Sequence, residues 1–318
     1  MHEIFIAAPV PQLMTDQLAK LPVHVTIHQS ADPITLAELK DGVKNAEILV
    51  VPLSTPVTTD VLAAAPHLRL IANYGAGVDN IALDDARARN IQVVNTPGVS
   101  ANAVAELTIA LILAWSRRLP EGDSLMRHKG FKAWEPLFFL GHEIQGKSLG
   151  IVGLGAIGRS VAAKATALGM SVQYWQRHAL TSDEEKTLGV HYATLDQLLA
   201  TSQFVSLHVP LVAGTHHLID AAKLAKMRHD AVLINVARGP VIDEAALLKA
   251  LQAGEIAGAA LDVYEHEPQV SAGLKKMENV ILTPHIGNAT VEAREAMAAL
   301  ITANITAYLQ GEPLKFTV

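Results

Sequence analysis

The 318 residues include no cysteine, which excludes disulfides, thiolate nucleophiles and cysteine-ligated metals and fits a reducing compartment. A long basic run is also missing. With a net charge of −6 and a pI near 6.1, the chain has little to neutralise a phosphate backbone, which argues against nucleic acid as a partner. The stretch from Met1 to Ala8 lacks the basic opening and extended apolar core of a signal peptide. The most apolar long segment, Val99 to Trp115, is interrupted by Asn102 and Glu106 and is too short to span a bilayer. Low-complexity tracts and short-period repeats are missing too. The 14 histidines show no metal-ligand spacing, and the adjacent pair His216 and His217 reads as surface. From these absences a soluble, cytoplasmic protein is expected, with no membrane segment and no metal site.

What is present points to two α/β domains, since half the residues are apolar and 318 is long for one core. The stretch from Leu149 to Arg159 reads as strand, tight turn and helix. Leu149, Ile151 and Val152 form the strand, and Gly153, Gly155 and Gly158 fall at the G-x-G-x-x-G spacing before an alanine-rich helix. Gly153 permits the turn, Gly155 lets backbone approach a pyrophosphate, and Gly158 lets the helix lie close on the strand. The open N–H groups and dipole of the helix start then face the phosphates.

Before this motif, strand candidates at 3–8, 23–28, 47–51, 68–74 and 91–95 alternate with helical runs at 34–40, 58–65 and 79–88, with Asp32, Thr58 and Asp79 as caps. A long helix, capped by Ser100 or Asn102 and running to about Arg118, is apolar on most of its circumference and is expected to be buried between domains or subunits. Gly122 to Gly146 has poor periodicity and carries Trp134, Phe138 and Phe139, as a loop or arm covered by local packing or by a second copy. Six more strand candidates follow the glycine turn, at 171–175, 190–193, 204–209, 231–237, 258–263 and 279–282, with helical runs at 194–200, 220–227 and 243–252. A final amphipathic helix spans 290–309, stopped by Gly311. The expected domains are therefore 1–99 with 288–318, discontinuous, and 100–287.

Three side chains fall where strands of the second series end, the position at which parallel sheets hold their ligands. Arg238 follows the strand ending at Val236, with Gly239 allowing a sharp exit, and presents a planar fork suited to a carboxylate or polarised carbonyl. His285 and Glu267 lie past two other strands. An imidazolium beside a carboxylate is stabilised and can serve as a general acid. The turn Gly75 to Gly77 can bring successive backbone donors to an anion.

In these motifs the chain resembles the D-isomer-specific 2-hydroxyacid dehydrogenases. The resemblance runs through Tyr74 to Ile81, Gly153 to Gly158, His208 to Leu211, Asn235 to Gly239, Leu261 to Pro268 and Thr283 to Gly287, in one order along nearly the whole chain. It implies two doubly wound parallel-sheet domains, a Rossmann coenzyme domain and a smaller flavodoxin-like substrate domain. Leu53, Ser54 and the aromatic arm near Trp134 are candidates to line the side-chain end of a substrate. The resemblance also implies that Arg238 binds and polarises a 2-oxo acid, that His285 is the acid/base and Glu267 orients it, and that Ala76 and Gly77 offer N–H groups to the substrate carboxylate. Around the dinucleotide it places the turn Gly153, Gly155, Ala156, Ile157 and Gly158. The loop of His208, Val209, Pro210 and Thr215 is placed there too, with Val78 and Thr108, then Val236, Ala237, Asp262, His285 and Gly287. Hydride transfer would occur in a cleft between the domains. A homodimer reducing a small 2-oxo acid such as glyoxylate, hydroxypyruvate or a larger pyruvate analogue is expected.

One position departs from an NAD-specific pattern. An acid about twenty residues past the glycines holds the ribose 2′-hydroxyl in such sites, but this chain has Gln176 there, followed by Arg177 and His178. No carboxylate repels a 2′-phosphate and Arg177 can pair with one, so NADP(H) is expected over NAD(H). Glu267 separates the chain from formate dehydrogenase-like members, which pair their His with Gln. The stop at Val318 disfavours a phosphoglycerate dehydrogenase with a regulatory domain. The alternatives are a phosphite or phosphonate oxidoreductase, and a corepressor-like dinucleotide sensor.

Overall fold

The computed structural model describes residues 1–30 and 32–318, in two compact units: Met1–Ser100 with Asn288–Val318, and Ala101–Gly287. In the first, the elements run β1 (His2–Ile6), α1 (Gln12–Leu18), β2 (Val23–Ile27), α2 (Leu36–Gly42), β3 (Ile48–Pro52), α3 (Thr59–Ala63), β4 (Leu70–Tyr74), α4 (Leu83–Ala88) and β5 (Gln92–Val94). The strands are parallel in the order β2-β1-β3-β4-β5, the flavodoxin-like arrangement. Ile4, Ile6, Val50 and Leu70 bury one face, and Phe5, Leu49, Val51 and Ile71 the other. Strands covered on both faces need apolar residues at successive positions, hence the unbroken run Ile48 to Val51.

The second unit runs α5 (Ala101–Ser116), α6 (Leu119–His128), β6 (Ser148–Val152), α7 (Ala156–Ala167), β7 (Ser171–Trp175), α8 (Ser182–Leu188), β8 (Val190–Tyr192), α9 (Leu195–Thr201), β9 (Phe204–Leu207), α10 (Ala221–Leu224), β10 (Val232–Asn235), α11 (Glu244–Gln252), β11 (Gly258–Leu261) and β12 (Val280–Leu282). Its seven parallel strands are ordered β12-β11-β10-β9-β6-β7-β8. The direction of winding reverses between β6 and β9, directly beside the glycine turn. The last helix, α12 (Val291–Gln310), is capped by Thr290 accepting from Ala293 N–H and closed by Gly311 at a φ of 70°. Met297, Ala298, Ile301 and Ile305 of α12 pack with Ile4 and Ile6 on the five-stranded sheet, so the first unit is built from both ends of the chain.

Several expectations are corrected. Helix α5 buries one face inside its own unit, where Val104, Ala105, Ile109 and Ile112 pack with Val161, Ala162 and Ala165 of α7 and with Leu149 and Ile151 of β6, while Asn102, Glu106 and Ala110 are exposed. Asn102 is not its cap but lies in its first turn, donating to Glu106 and accepting from Lys164. The chain breaks at Arg118, which takes a left-handed φ of 53°, and α6 then fills the first part of what reads as an arm. Neither Asp32 nor Asp79 caps a helix; Thr35 is the N-cap of α2, in a reciprocal capping box with Glu38, and α4 follows Ala82. Helices α1 and α8 are additions. Helix α8 buries no residue, so it lacks the stripe that periodicity detects, although its Thr181–Glu184 capping box is written in the sequence. Among the described residues no helix is long and apolar enough to cross a membrane.

Candidate active site

The glycine turn is built by close approach. Gly153 has a φ of +99°, and a Cβ there would stand 2.7 Å from the His208 carbonyl oxygen, while one on Gly158 would stand 2.2 Å from Gly153 O. Only glycine fits at either place. Gly155, the N-cap of the 12-residue α7, has open space where a Cβ would be, no side chain caps the helix, and its first turn holds no acid. The N–H groups and positive dipole end beginning at Ala156 and Ile157 therefore remain available to an anion. This cradle, which a Cβ would fill, fits the pyrophosphate of a dinucleotide.

Around it, β7 ends one residue before Gln176, whose amide donates to His178 O at 2.7 Å, while Arg177 and His178 are exposed. Thr215 closes the loop after β9, donating to Pro210 O at 2.6 Å and accepting from Val212 N–H at 2.9 Å, with Val209 partly buried. His208 Nε2 lies 2.8 Å from Ser206 Oγ, and Nδ1 is buried without a partner. Burial pushes this imidazole down to about 3, so it is neutral. Thr108 is fully buried and spends its hydroxyl on Val104 O within α5.

Arg238, Glu267 and His285 all sit on loops leaving the carboxyl ends of β10, β11 and β12. The Asn235 side chain shapes the first loop, accepting from Ala237 N–H and donating to Arg238 O. Val236 is buried and Ala237 partly so; Ala237 O accepts from the Arg238 guanidinium at 2.8 Å. On the second loop, one Glu267 oxygen accepts from Tyr264 N–H at 3.0 Å and the other lies 2.9 Å from His285 Nδ1. The two side chains are each about a third exposed, His285 34% and Glu267 35%. Burial pushes the Glu267 carboxyl up, but the His285 hydrogen bond and charge, the Tyr264 N–H and the Arg238 charge outweigh it and hold it below the usual range.

The third loop is fixed by Asp262, which is 1% exposed. Its Oδ1 accepts from the Thr283 hydroxyl and Ile286 N–H, and its Oδ2 from Gly287 N–H at 2.8 Å. His285, at a left-handed φ of 52°, donates its own N–H to Asp262 O. A non-glycine residue holds that conformation only where its surroundings impose it.

In the other unit, the turn after β4 has its three carbonyls tied back: Gly75 O to Thr96 N–H, Ala76 O to the Asn95 amide and Gly77 O to the Asn73 amide. The N–H groups of Ala76, Gly77 and Val78 have no acceptor among the described residues, the pattern of an anion-binding concavity. Leu53 packs so tightly on Gly75 that a Cβ there would stand 2.3 Å from it, and Ser54 is exposed. Asn73 and Asn80 are functional candidates the sequence reading missed. Asn80 donates to Pro52 O, Thr55 O and Asn73 Oδ1, joining the Leu53 loop to the turn. The signal was there: an Asn inside the buried run Leu70 to Tyr74 must have a partner. Trp134 is 81% exposed. His217, expected at the surface, is instead half-buried and paired with Glu265.

Residues 109–287 match the family described as D-isomer specific 2-hydroxyacid dehydrogenase, NAD binding domain. A protein of Staphylococcus saprophyticus classed as a 2-hydroxyacid dehydrogenase is 43% identical over 318 residues, covering all of both chains. The chain is a D-isomer-specific 2-hydroxyacid dehydrogenase family member. Among solved structures, the TT0316 protein of Thermus thermophilus superposes with a TM-score of 0.93 at 37% identity, covering 99% of each chain. An NADPH-dependent glyoxylate/hydroxypyruvate reductase of Sinorhizobium meliloti, in complex with NADP and malonate, has a TM-score of 0.84 at 31% identity, covering 100% of this chain and 96% of that one. This dehydrogenase is thus an oxidoreductase with a nicotinamide-dinucleotide-binding domain, of a family acting on small 2-hydroxy or 2-oxo acids.

Proposed function

We propose that the enzyme reduces a small 2-oxo acid, such as glyoxylate, hydroxypyruvate or a larger pyruvate analogue, to the D-2-hydroxy acid, with NADPH preferred over NADH. The observation that carries this reading is the His285–Glu267 pair at 2.9 Å, held on strand-end loops beside the loop of Arg238. A bound nicotinamide supplies the hydride. Arg238 binds the 2-oxo acid and polarises its carbonyl with a planar, permanently charged fork. Glu267, kept ionised, holds the Nδ1 side of His285, orienting the ring and stabilising the imidazolium that gives its Nε2 proton to the carbonyl oxygen. Ala76 and Gly77 give their N–H groups to the substrate carboxylate, and Leu53 meets its side chain.

NADPH preference rests on Gln176 and Arg177. Arg177 is exposed and makes no ion pair among the described residues, so its guanidinium can take a 2′-phosphate. Likeness to the NADPH-dependent reductase of S. meliloti supports the same choice. Val78, Val236, Ala237, Asp262 and Gly287 complete the proposed dinucleotide contacts. A cytoplasmic homodimer is part of the reading. Phe131, Trp134, Leu137 and Phe138 expose apolar surface together on the segment after α6, which a second copy would cover.

The test is a panel of glyoxylate, hydroxypyruvate, pyruvate and phenylpyruvate with each cofactor, read by nicotinamide absorbance. Turnover of at least one 2-oxo acid, with the higher kcat/KM for NADPH, is expected. Tight dinucleotide binding without turnover of any of them would overturn the reading in favour of a sensor.

A further inference from the structure

The loop after β9 meets both catalytic loops at a knot of one imidazole and two carboxylates. His217 donates its backbone N–H to Pro240 O at 2.8 Å, two residues past Arg238. Its ring Nε2 lies 2.6 Å from Glu265 Oε1, and the Glu265 side chain is 15% exposed. The second Glu265 oxygen accepts from Glu244 N–H at the start of α11, and the Glu244 carboxylate accepts in return from Glu265 N–H at 3.1 Å. Burial pushes the Glu265 carboxyl up, but hydrogen bonds from the Glu244 N–H and the His217 ring more than offset it, so the group stays ionised. His217 also takes a left-handed φ of 49°, which a non-glycine residue keeps only when its neighbours hold it there.

This knot lies behind the chemistry and reaches it through backbone. Glu265 is joined to Tyr264, whose N–H holds Glu267 Oε1. The same Tyr264–Glu265 peptide is what Gly239 packs against, so the Arg238 loop and the Glu267 loop share one contact. A shift of Glu265 therefore moves the donor that orients Glu267 and the surface that seats Arg238.

We propose that His217 and Glu265 are a positioning pair through which the loop 208–217 sets the geometry of Arg238 and of the Glu267–His285 couple. This rests on the dehydrogenase reading, which lays that loop along the dinucleotide, and adds that seating the dinucleotide is transmitted to the proton donor. His217→Leu should lower kcat for the best 2-oxo acid tenfold or more and raise its KM through the displaced Arg238, with the NADPH Kd changed less than about twofold. His217→Gln, whose amide nitrogen can reach the same carboxylate oxygen, should recover most of that loss, and Glu265→Gln should fall between. Wild-type kcat in His217→Leu, or equal losses in the Leu and Gln variants that track a fall in Tm, would overturn the proposal.

An inactive wild type would defeat the dehydrogenase reading instead. Hydrogen exchange then still decides the pair. NADPH should slow exchange at 239–241 and 264–267 in the wild type and not in His217→Leu; the same response in both would overturn it.

Discussion

Gly239 lies so close beneath Tyr264 that a Cβ on it would stand 1.8 Å from the Tyr264 carbonyl oxygen and 2.4 Å from Glu265 N. The obstacle is backbone, which cannot rotate away as a side chain can. Gly239→Ala should therefore separate the Arg238 loop from the Glu267 loop, costing about 1–3 kcal/mol as overpacking does. Thermal unfolding should show a lowered Tm, and reduction should fall by more than the loss of folded protein explains. Unchanged activity would refute the shared contact.

His285→Ala should remove the proposed proton donor while leaving the glycine cradle intact. Loss of general-acid catalysis predicts a fall of about 10²–10⁴ in kcat, with the dinucleotide Kd, measured by fluorescence titration, unchanged. Glu267→Gln keeps an acceptor at 2.9 Å from the ring but removes the charge, so its loss should be smaller.

Cofactor choice is testable at two positions. Arg177→Ala should cost roughly tenfold in kcat/KM for NADPH, the scale of a charge-assisted hydrogen bond, with little effect on NADH. Gln176→Asp should favour NADH by repelling the 2′-phosphate and offering the 2′-hydroxyl an acceptor. A wild-type preference for NADH would refute the assignment.

Asn73 is fully buried and ties Gly77 O at 2.5 Å. Asn73→Ala should loosen the turn that offers N–H groups at Ala76 and Gly77. The expected result in steady-state kinetics is an increase of about tenfold in KM for the 2-oxo acid, the scale of one hydrogen bond, with dinucleotide affinity preserved. Parallel loss of both would show that the Asn supports the whole fold rather than the turn.

His208 predicts an acid-side loss of stability. Its imidazole is held down to about 3 from 6.5 in the folded chain, so the unfolded chain binds the proton more readily between those values. The contribution is complete above pH 6.5 and is lost as pH falls towards 3, at up to about 1.4 kcal/mol per pH unit. Urea unfolding of wild type and His208→Asn at pH 7 and 5 checks this. The wild type should lose more stability than the variant over that interval.

The sequence made some of this legible because certain residues admit one physical explanation. Gly153, Gly155 and Gly158 each answer a different steric demand, and the apolar strands ending at Asn235, Leu261 and Leu282 point their following loops to one edge. What stayed hidden depended on partners. The apolar circumference of α5 says that it is covered, but not that α7 and β6 cover it. Helix α8 carries no buried residue, and α1 buries only Met14 and Leu18, too few to mark a period. The break at Arg118 has no glycine or proline at the residue that turns left-handed. The His217–Glu265 pair joins positions 48 apart, a distance no local pattern spans.

The Asp262 carboxylate takes two backbone N–H groups and one hydroxyl from the strand-end segment that carries the imidazole. Its bend is thus dictated mostly by main chain, including the fixed φ of Pro284, while the side chain of Ile286 is exposed. Mutational drift or redesign at that outward side chain can alter the exposed face of the loop while the ring of His285 keeps its bearing.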